Sequence, residues 1–144
     1  MEKWEPKSLE DRLIHKYCSG FGGQLFLEVP IGNKGMGNWA PNSKSRRIDG
    51  VLVKDNSESS ELKVSRAKDY STNDFLKLIQ GKTVELIEVK KYLNRLVIGQ
   101  VIAGMDMFER QYQINRINPV IVCQIGDPAL EWVCKKRNIK VEIR

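Results

Sequence analysis

The chain is poor in the residues that build most catalytic and metal centres. It has a single histidine, His15, in 144 residues. That residue falls on the polar side of a helix-like segment, which argues against a histidine nucleophile relay or general base. Its three cysteines, Cys18, Cys123 and Cys134, show no CxxC spacing and no histidine cluster, so neither a zinc site nor a disulfide framework is indicated. No apolar run approaches membrane-spanning length, and the charged start Met1-Glu2-Lys3-Trp4-Glu5-Pro6 leads into no apolar signal-peptide core. The expectation is an intracellular protein with reduced thiols, cytoplasmic or nucleoid-associated, not secreted and without a membrane partner. Gly32, Gly35 and Gly37 lack the GK[ST] of a phosphate-binding P-loop, which excludes ATP binding of that kind.

What is present suits one compact domain spanning 1–144. Hydrophobic residues make up 41%, enough for a real core at this length. Lys and Arg outnumber Asp and Glu by 24 to 18, a net charge of +6, which favours polyanionic partners through phosphate contacts and counterion release.

Ser8 with Asp11 opens a first helix, in which Leu9, Leu13 and Tyr17 recur at helical spacing. QLFLEV (24–29) and IDGVLV (48–53) read as strands. The segment from about 54 to 82 turns polar and reads as an insertion holding a short helix from Asn73 to Gln80. ELIEVK (85–90) is a third strand, followed by a long helix from about Asn94 to Tyr112. A strand at 118–125, a helix begun by Asp127-Pro128, and a strand at 140–143 complete the chain. A mixed β-sheet flanked by helices is the expected α/β architecture.

Several charges fall where charge is costly. Glu88 and Lys90 are two apart on the third strand and share a face; an ordinary cross-strand ion pair also accounts for them. Asp49 alternates onto the face of Val51 and Val53, where an aspartate needs a partner or a metal, unless it is a turn residue bonding its own backbone before Gly50. Glu10 falls inside the apolar arc of the first helix and faces the sheet, or else serves as a first-turn carboxylate at the positive end of the helix dipole. Gln100 falls inside the apolar arc of the long helix, beside Leu96, Val97 and Val101, within reach of the end of ELIEVK or of a helix-end contact. Three acids that converge beside a lysine form a hard-oxygen set suited to Mg²⁺ or Mn²⁺, and such a site suits phosphodiester hydrolysis.

Glu10, Asp49, Glu88 with Lys90, and Gln100, in that order on α-β-β-β-α-β elements, resemble the PD-(D/E)XK nuclease superfamily, which includes restriction endonucleases and Holliday-junction resolvases. The resemblance covers roughly Ser8 to Arg144. Ile48 stands where the motif's proline would be, and the insertion before the third strand lengthens the gap from Asp49 to Glu88. It implies a restriction-endonuclease-like core and a metal-dependent endodeoxyribonuclease. Asp49, Glu88 and the Val89 carbonyl would ligate Mg²⁺ or Mn²⁺, with Glu10 adding a direct or water-mediated contact, and Lys90 would position the attacking water. Glu28 is a second candidate for the first acid. A non-catalytic DNA-binding or protein-interaction module on the same fold is the alternative.

The loop GNKGMGNWAPNSKSRR places Lys34, Trp39, Lys44, Arg46 and Arg47 just before Asp49, and Lys91 and Arg95 follow ELIEVK. The cations suit phosphate contacts and Trp39 suits base stacking; a solvated basic loop with a tucked tryptophan fits equally. The expected partner is DNA, double-stranded or branched, and cutting both strands with one site per chain implies a homodimer.

Overall fold

The computed structural model describes residues 4–32, 36–55 and 61–144. Ser8 caps α1 (Leu9–Cys18) through a reciprocal box in which its Oγ accepts the Asp11 N–H at 3.0 Å and the Asp11 carboxylate accepts the Ser8 N–H. The chain continues through β1 (Gly22–Ile31), β2 (Arg46–Asp55), β3 (Leu62–Arg66), a 3-10 turn (Ala67–Asp69), α2 (Thr72–Ile79) and β4 (Thr83–Tyr92). It ends with α3 (Arg95–Gln111), β5 (Arg116–Ile125), α4 (Pro128–Lys136) and β6 (Lys140–Ile143). Asn94 and Asp127 cap α3 and α4 with their side-chain oxygens, and Pro128 occupies the first turn where no N–H is needed.

The strands form one six-stranded mixed sheet in the order β3-β1-β2-β4-β5-β6. β1, β2 and β4 run antiparallel to their neighbours in that series, while β3 joins β1, β5 joins β4 and β6 joins β5 in parallel. The polar segment before β4 is more than an insertion with one helix. Its LKVSR stretch half-buries Leu62 and Val64 as an edge strand, and Phe75 and Ile79 of α2 enter the core.

Helix α1 covers one face, burying Leu13, Ile14, Tyr17 and Cys18 against Leu25, Leu52, Ile87 and Val89. On the other face α2 and α3 bring Phe75, Ile79, Phe108 and Tyr112 onto Phe26, Val51 and Leu86, and α3 and α4 together cover Ile121 and Cys123. Each such fully buried side chain contributes roughly 1.5–3 kcal/mol. Helix α1 packs closely over Gly50, where a Cβ would stand 2.5 Å from the Ile14 Cδ1 and displace the end of that side chain.

The alternation of faces slips midway along β1 and β2. Leu25 and Leu27 pack on the α1 side and Phe26 on the other, yet Val29 and Ile31 join Phe26's cluster. The slip falls at Glu28, whose φ of 54° lies in the left-handed region. In β2, Leu52 packs toward α1, but Ile48 joins Val51 on the opposite side. Asp49 therefore sits at a break in the pleat rather than in plain alternation with Val51 and Val53. No helix among the described residues is long and apolar enough to cross a membrane.

Candidate functional site

The site grows from the place where β2 and β4 part. Their ladder pairs Leu52 with Glu85, Val51 with Leu86 and Gly50 with Ile87. One residue further on, the Asp49 Oδ2 accepts the Val89 N–H at 2.8 Å, a side chain bonding the β4 backbone. Glu88, 6% exposed, points to the α3 side of β4, where its Oε1 comes close to Gly104. The two carboxyls share a side-chain hydrogen bond.

Glu88's pKa is pushed up to about 9, first by burial and then by the Asp49 charge. At neutral pH Glu88 is thus a neutral acid that donates to Asp49. Asp49 keeps access to water as a residue, yet protein crowds its carboxylate. This desolvation raises its pKa, with Glu10's charge pushing the same way and the Val89 N–H, Glu88 and Lys90 opposing.

These placements correct the catalytic reading. Among the described residues no group of three or more His, Cys, Asp or Glu side chains is placed to hold a metal ion. Two acids meet, not three. Glu10 is exposed on the first turn of α1; it acts on Asp49 through its charge but does not complete a ligand set. The expectations of a Mg²⁺ or Mn²⁺ cofactor held by Asp49, Glu88, Val89 and Glu10, and of a metal-dependent endodeoxyribonuclease hydrolysing DNA phosphodiester bonds, are overturned on this ground. The physical reason is position: Glu10 stays exposed on the first turn of α1, so only two carboxyls meet where a hard divalent cation prefers several anionic oxygens.

Lys90 is half-buried on the same strand. Gln100, expected within the apolar arc of α3, is exposed, and Leu96 beside it is 61% exposed. The buried face of α3 runs instead through Val97, Ile98, Val101, Gly104, Phe108 and Gln111, a stripe that leaves Leu96 and Gln100 on its flank. Glu28 is exposed and ion-paired to Arg66 at 3.1 Å and to Arg47 at 3.8 Å.

Above Glu88 an open groove of about 510 Å³ runs between the start of β2 and the first turns of α3. Arg46, Arg47 and Arg95 line it together with Gln100, and all four are exposed. Lys44 and Lys91 are also exposed, and Arg46 is steadied by donating to the Lys44 carbonyl at 2.9 Å. Lys34 lies outside the described residues. Trp39 is half-buried; its Nε1–H donates to the Gln111 Oε1 at 3.1 Å, and the Arg110 guanidinium lies 4.3 Å from its ring centroid.

Two features had no clear forewarning in the sequence. Gln111, 8% exposed, pins the basic loop: its Oε1 also accepts the Gly32 N–H at 2.9 Å and its Nε2 donates to the Pro30 carbonyl at 3.1 Å. Gly32 has φ 76° and approaches Lys44 at the far end of the loop, so its position demands glycine. On the opposite side of the sheet Glu85, 7% exposed, accepts from the Tyr17 hydroxyl at 2.6 Å and pairs with Lys54 at 2.7 Å. Strand alternation with Ile87 and Val89 was the available signal for Glu85; Gln111 offered none.

No family model matches the chain, and no curated protein or solved structure matches it either.

Proposed function

We propose that the protein is a non-catalytic nucleic-acid-binding module that holds duplex DNA by its phosphates in the groove above Glu88, on a restriction-endonuclease-like core. The observation that carries this reading is the convergence of Arg46, Arg47 and Arg95 on one open groove, in a chain with a net charge of +6. Guanidinium groups bind phosphate oxygens in pairs and stay charged at any relevant pH. The neutral Glu88 at the groove floor adds no repulsion toward a polyanion. The relation to the PD-(D/E)XK superfamily is part of the proposal. Its support is the order α1, β1, β2, β4, α3, β5 with antiparallel β1-β2-β4 and parallel β4-β5, and the meeting of Asp49 with Glu88.

Phosphate contacts fix position without reading sequence, so the expected binding is tight at low salt and weakly selective. The homodimer expectation drew on the arithmetic of cutting two strands and has no such argument behind it once cleavage is removed. Fluorescence anisotropy with a labelled duplex across a salt series tests the reading. The triple variant Arg46→Ala, Arg47→Ala, Arg95→Ala should lower the slope of log affinity against log salt by about 3, near 0.9 for each phosphate no longer neutralised. An unchanged slope, or binding indifferent to salt, would sink the proposal; the duplex should be recovered uncut.

A further inference from the structure

The structure has a second cavity, distinct from the groove but sharing a wall with it. It holds about 260 Å³ between β1, the 3-10 turn and α2, and Arg47 lines both spaces. We propose that this pocket accepts a single unpaired guanine base from the nucleic acid held in the groove; the proposal rests on the nucleic-acid reading and deepens it.

Size limits the occupant first. The volume falls just below the usual range of ligand pockets, about 300–1,000 Å³, which leaves room for one heterocycle rather than a peptide. The lining is divided in a way that suits a flat ring with a polar edge. Tyr70, Phe75 and Tyr112 supply the apolar side, with Phe75 and Tyr112 in an edge-to-face pair at 5.5 Å. Glu28, Arg47 and Lys68 supply the charged side.

Glu28 selects among bases. Its carboxylate is oriented by Arg66 on Oε2 and by Arg47 on Oε1, and each oxygen retains further acceptor capacity. Guanine presents two adjacent donors, N1–H and the N2 amino group, which match two carboxylate oxygens. Thymine and uracil present one N–H between two carbonyl oxygens that a carboxylate repels. Adenine and cytosine place a ring acceptor beside their amino group. Glu28 also holds a left-handed φ of 54° within a strand, a conformation costly for a residue with a side chain and concentrated at functional sites. A strand whose phosphate rests on Arg47 has its neighbouring base at the pocket mouth, with the exposed Lys68 at the rim.

Equilibrium binding to three labelled duplexes tests this: one fully paired, one bulging a single guanine and one bulging a single thymine. The guanine bulge should bind about tenfold more tightly than the thymine bulge, the scale of one stacked and bonded base. Glu28→Gln should erase that preference. Thr72→Phe, at an exposed position lining the mouth, should erase it by filling the pocket while leaving the fully paired duplex bound as in the wild type. Equal affinity for the two bulges, or a preference that survives both variants, overturns the proposal. If the wild type binds no duplex at all, the nucleic-acid reading fails, and guanosine monophosphate titrated into the protein alone decides the pocket. Resonance shifts at Tyr70 and Thr72 that vanish in Glu28→Gln sustain it, and their absence overturns it.

Discussion

On β4 two glutamates three residues apart, Glu85 and Glu88, are both buried but face opposite sides of the sheet. On the α1 side Glu85 meets a cation: Lys54 lies 2.7 Å from one oxygen and the Tyr17 hydroxyl donates to the other, while Lys140 in turn donates to that hydroxyl at 3.1 Å. On the α3 side Glu88 meets another acid, Asp49, and holds a proton instead. A buried carboxyl is tolerated either with a cation or by staying neutral. The choice depends on what the neighbouring elements deliver, not on the residue.

The largest expected effect breaks the Glu88 half of the comparison. In the unfolded chain Glu88 loses its proton near the ordinary value of 4.5; in the folded protein it does so near 9. Between those values the folded state binds the extra proton, so stability should fall as pH rises through the window and level off below it. The slope approaches about 1.4 kcal/mol per pH unit at full linkage. The raised pKa of Asp49 acts in the same direction. Glu88→Gln keeps a donor for Asp49 and should flatten this decline; urea titrations at several pH values measure it, and an unchanged slope would refute the neutral-acid assignment.

Removing Glu85 strikes the other half. Glu85→Ala leaves the Tyr17 hydroxyl without its acceptor and Lys54 without its partner, an expected loss of about 3 kcal/mol. Replacing both partners, Glu85→Leu with Lys54→Met, should cost less than Glu85→Ala alone, because no charge is then left unpaired and only the Tyr17 hydroxyl loses its acceptor. Denaturation midpoints decide this, and a double variant worse than the single would show that the ion pair itself is net stabilising.

Gln111 is the third buried polar side chain among the described residues and is neutral from the start. Gln111→Ala should cost about 2 kcal/mol and free Trp39, giving a red-shifted tryptophan emission and faster exchange of the Gly32 amide. Stable, unshifted emission would mean that Arg110 alone holds the loop.

The smallest effect uses Cys18 as a reporter of Glu85's charge. Its thiol is pushed up to about 12, first by burial and then by Glu85, with Lys54 opposing. Alkylation of the folded protein should be slow at neutral pH. In Glu85→Gln the pH at which the rate rises should move down slightly; an upward move would reverse the sign argued here.

Helix starts were legible because capping is local chemistry: Ser8, Asn94 and Asp127 each bond the first turn that follows them. The strand carrying Glu88 was legible from its apolar run, and β6 from its four residues after a helix stop. The edge strand β3 was not, because five residues with two half-buried side chains carry a weak period. Glu10 and Gln100 were misplaced for one shared reason. A helical arc says which way a side chain points around the axis, not how wide a stripe its neighbours cover: Glu10 stays exposed on the first turn of α1, and Gln100 lies on the flank of the buried stripe of α3. Gln111 was invisible because its partners are backbone groups of a loop some eighty residues earlier.

The sequence by itself determined the mixed α/β order, the caps and the excess of positive charge, since these depend on neighbours within a turn or on composition. Only the tertiary structure decided how many acids meet at Asp49 and which glutamate of β4 receives a lysine. It also decided that Arg46, Arg47 and Arg95 share one groove. Those outcomes depend on distances between segments far apart in the chain, where a small offset in how a helix crosses the sheet separates a ligand set from a pair of carboxyls sharing a proton.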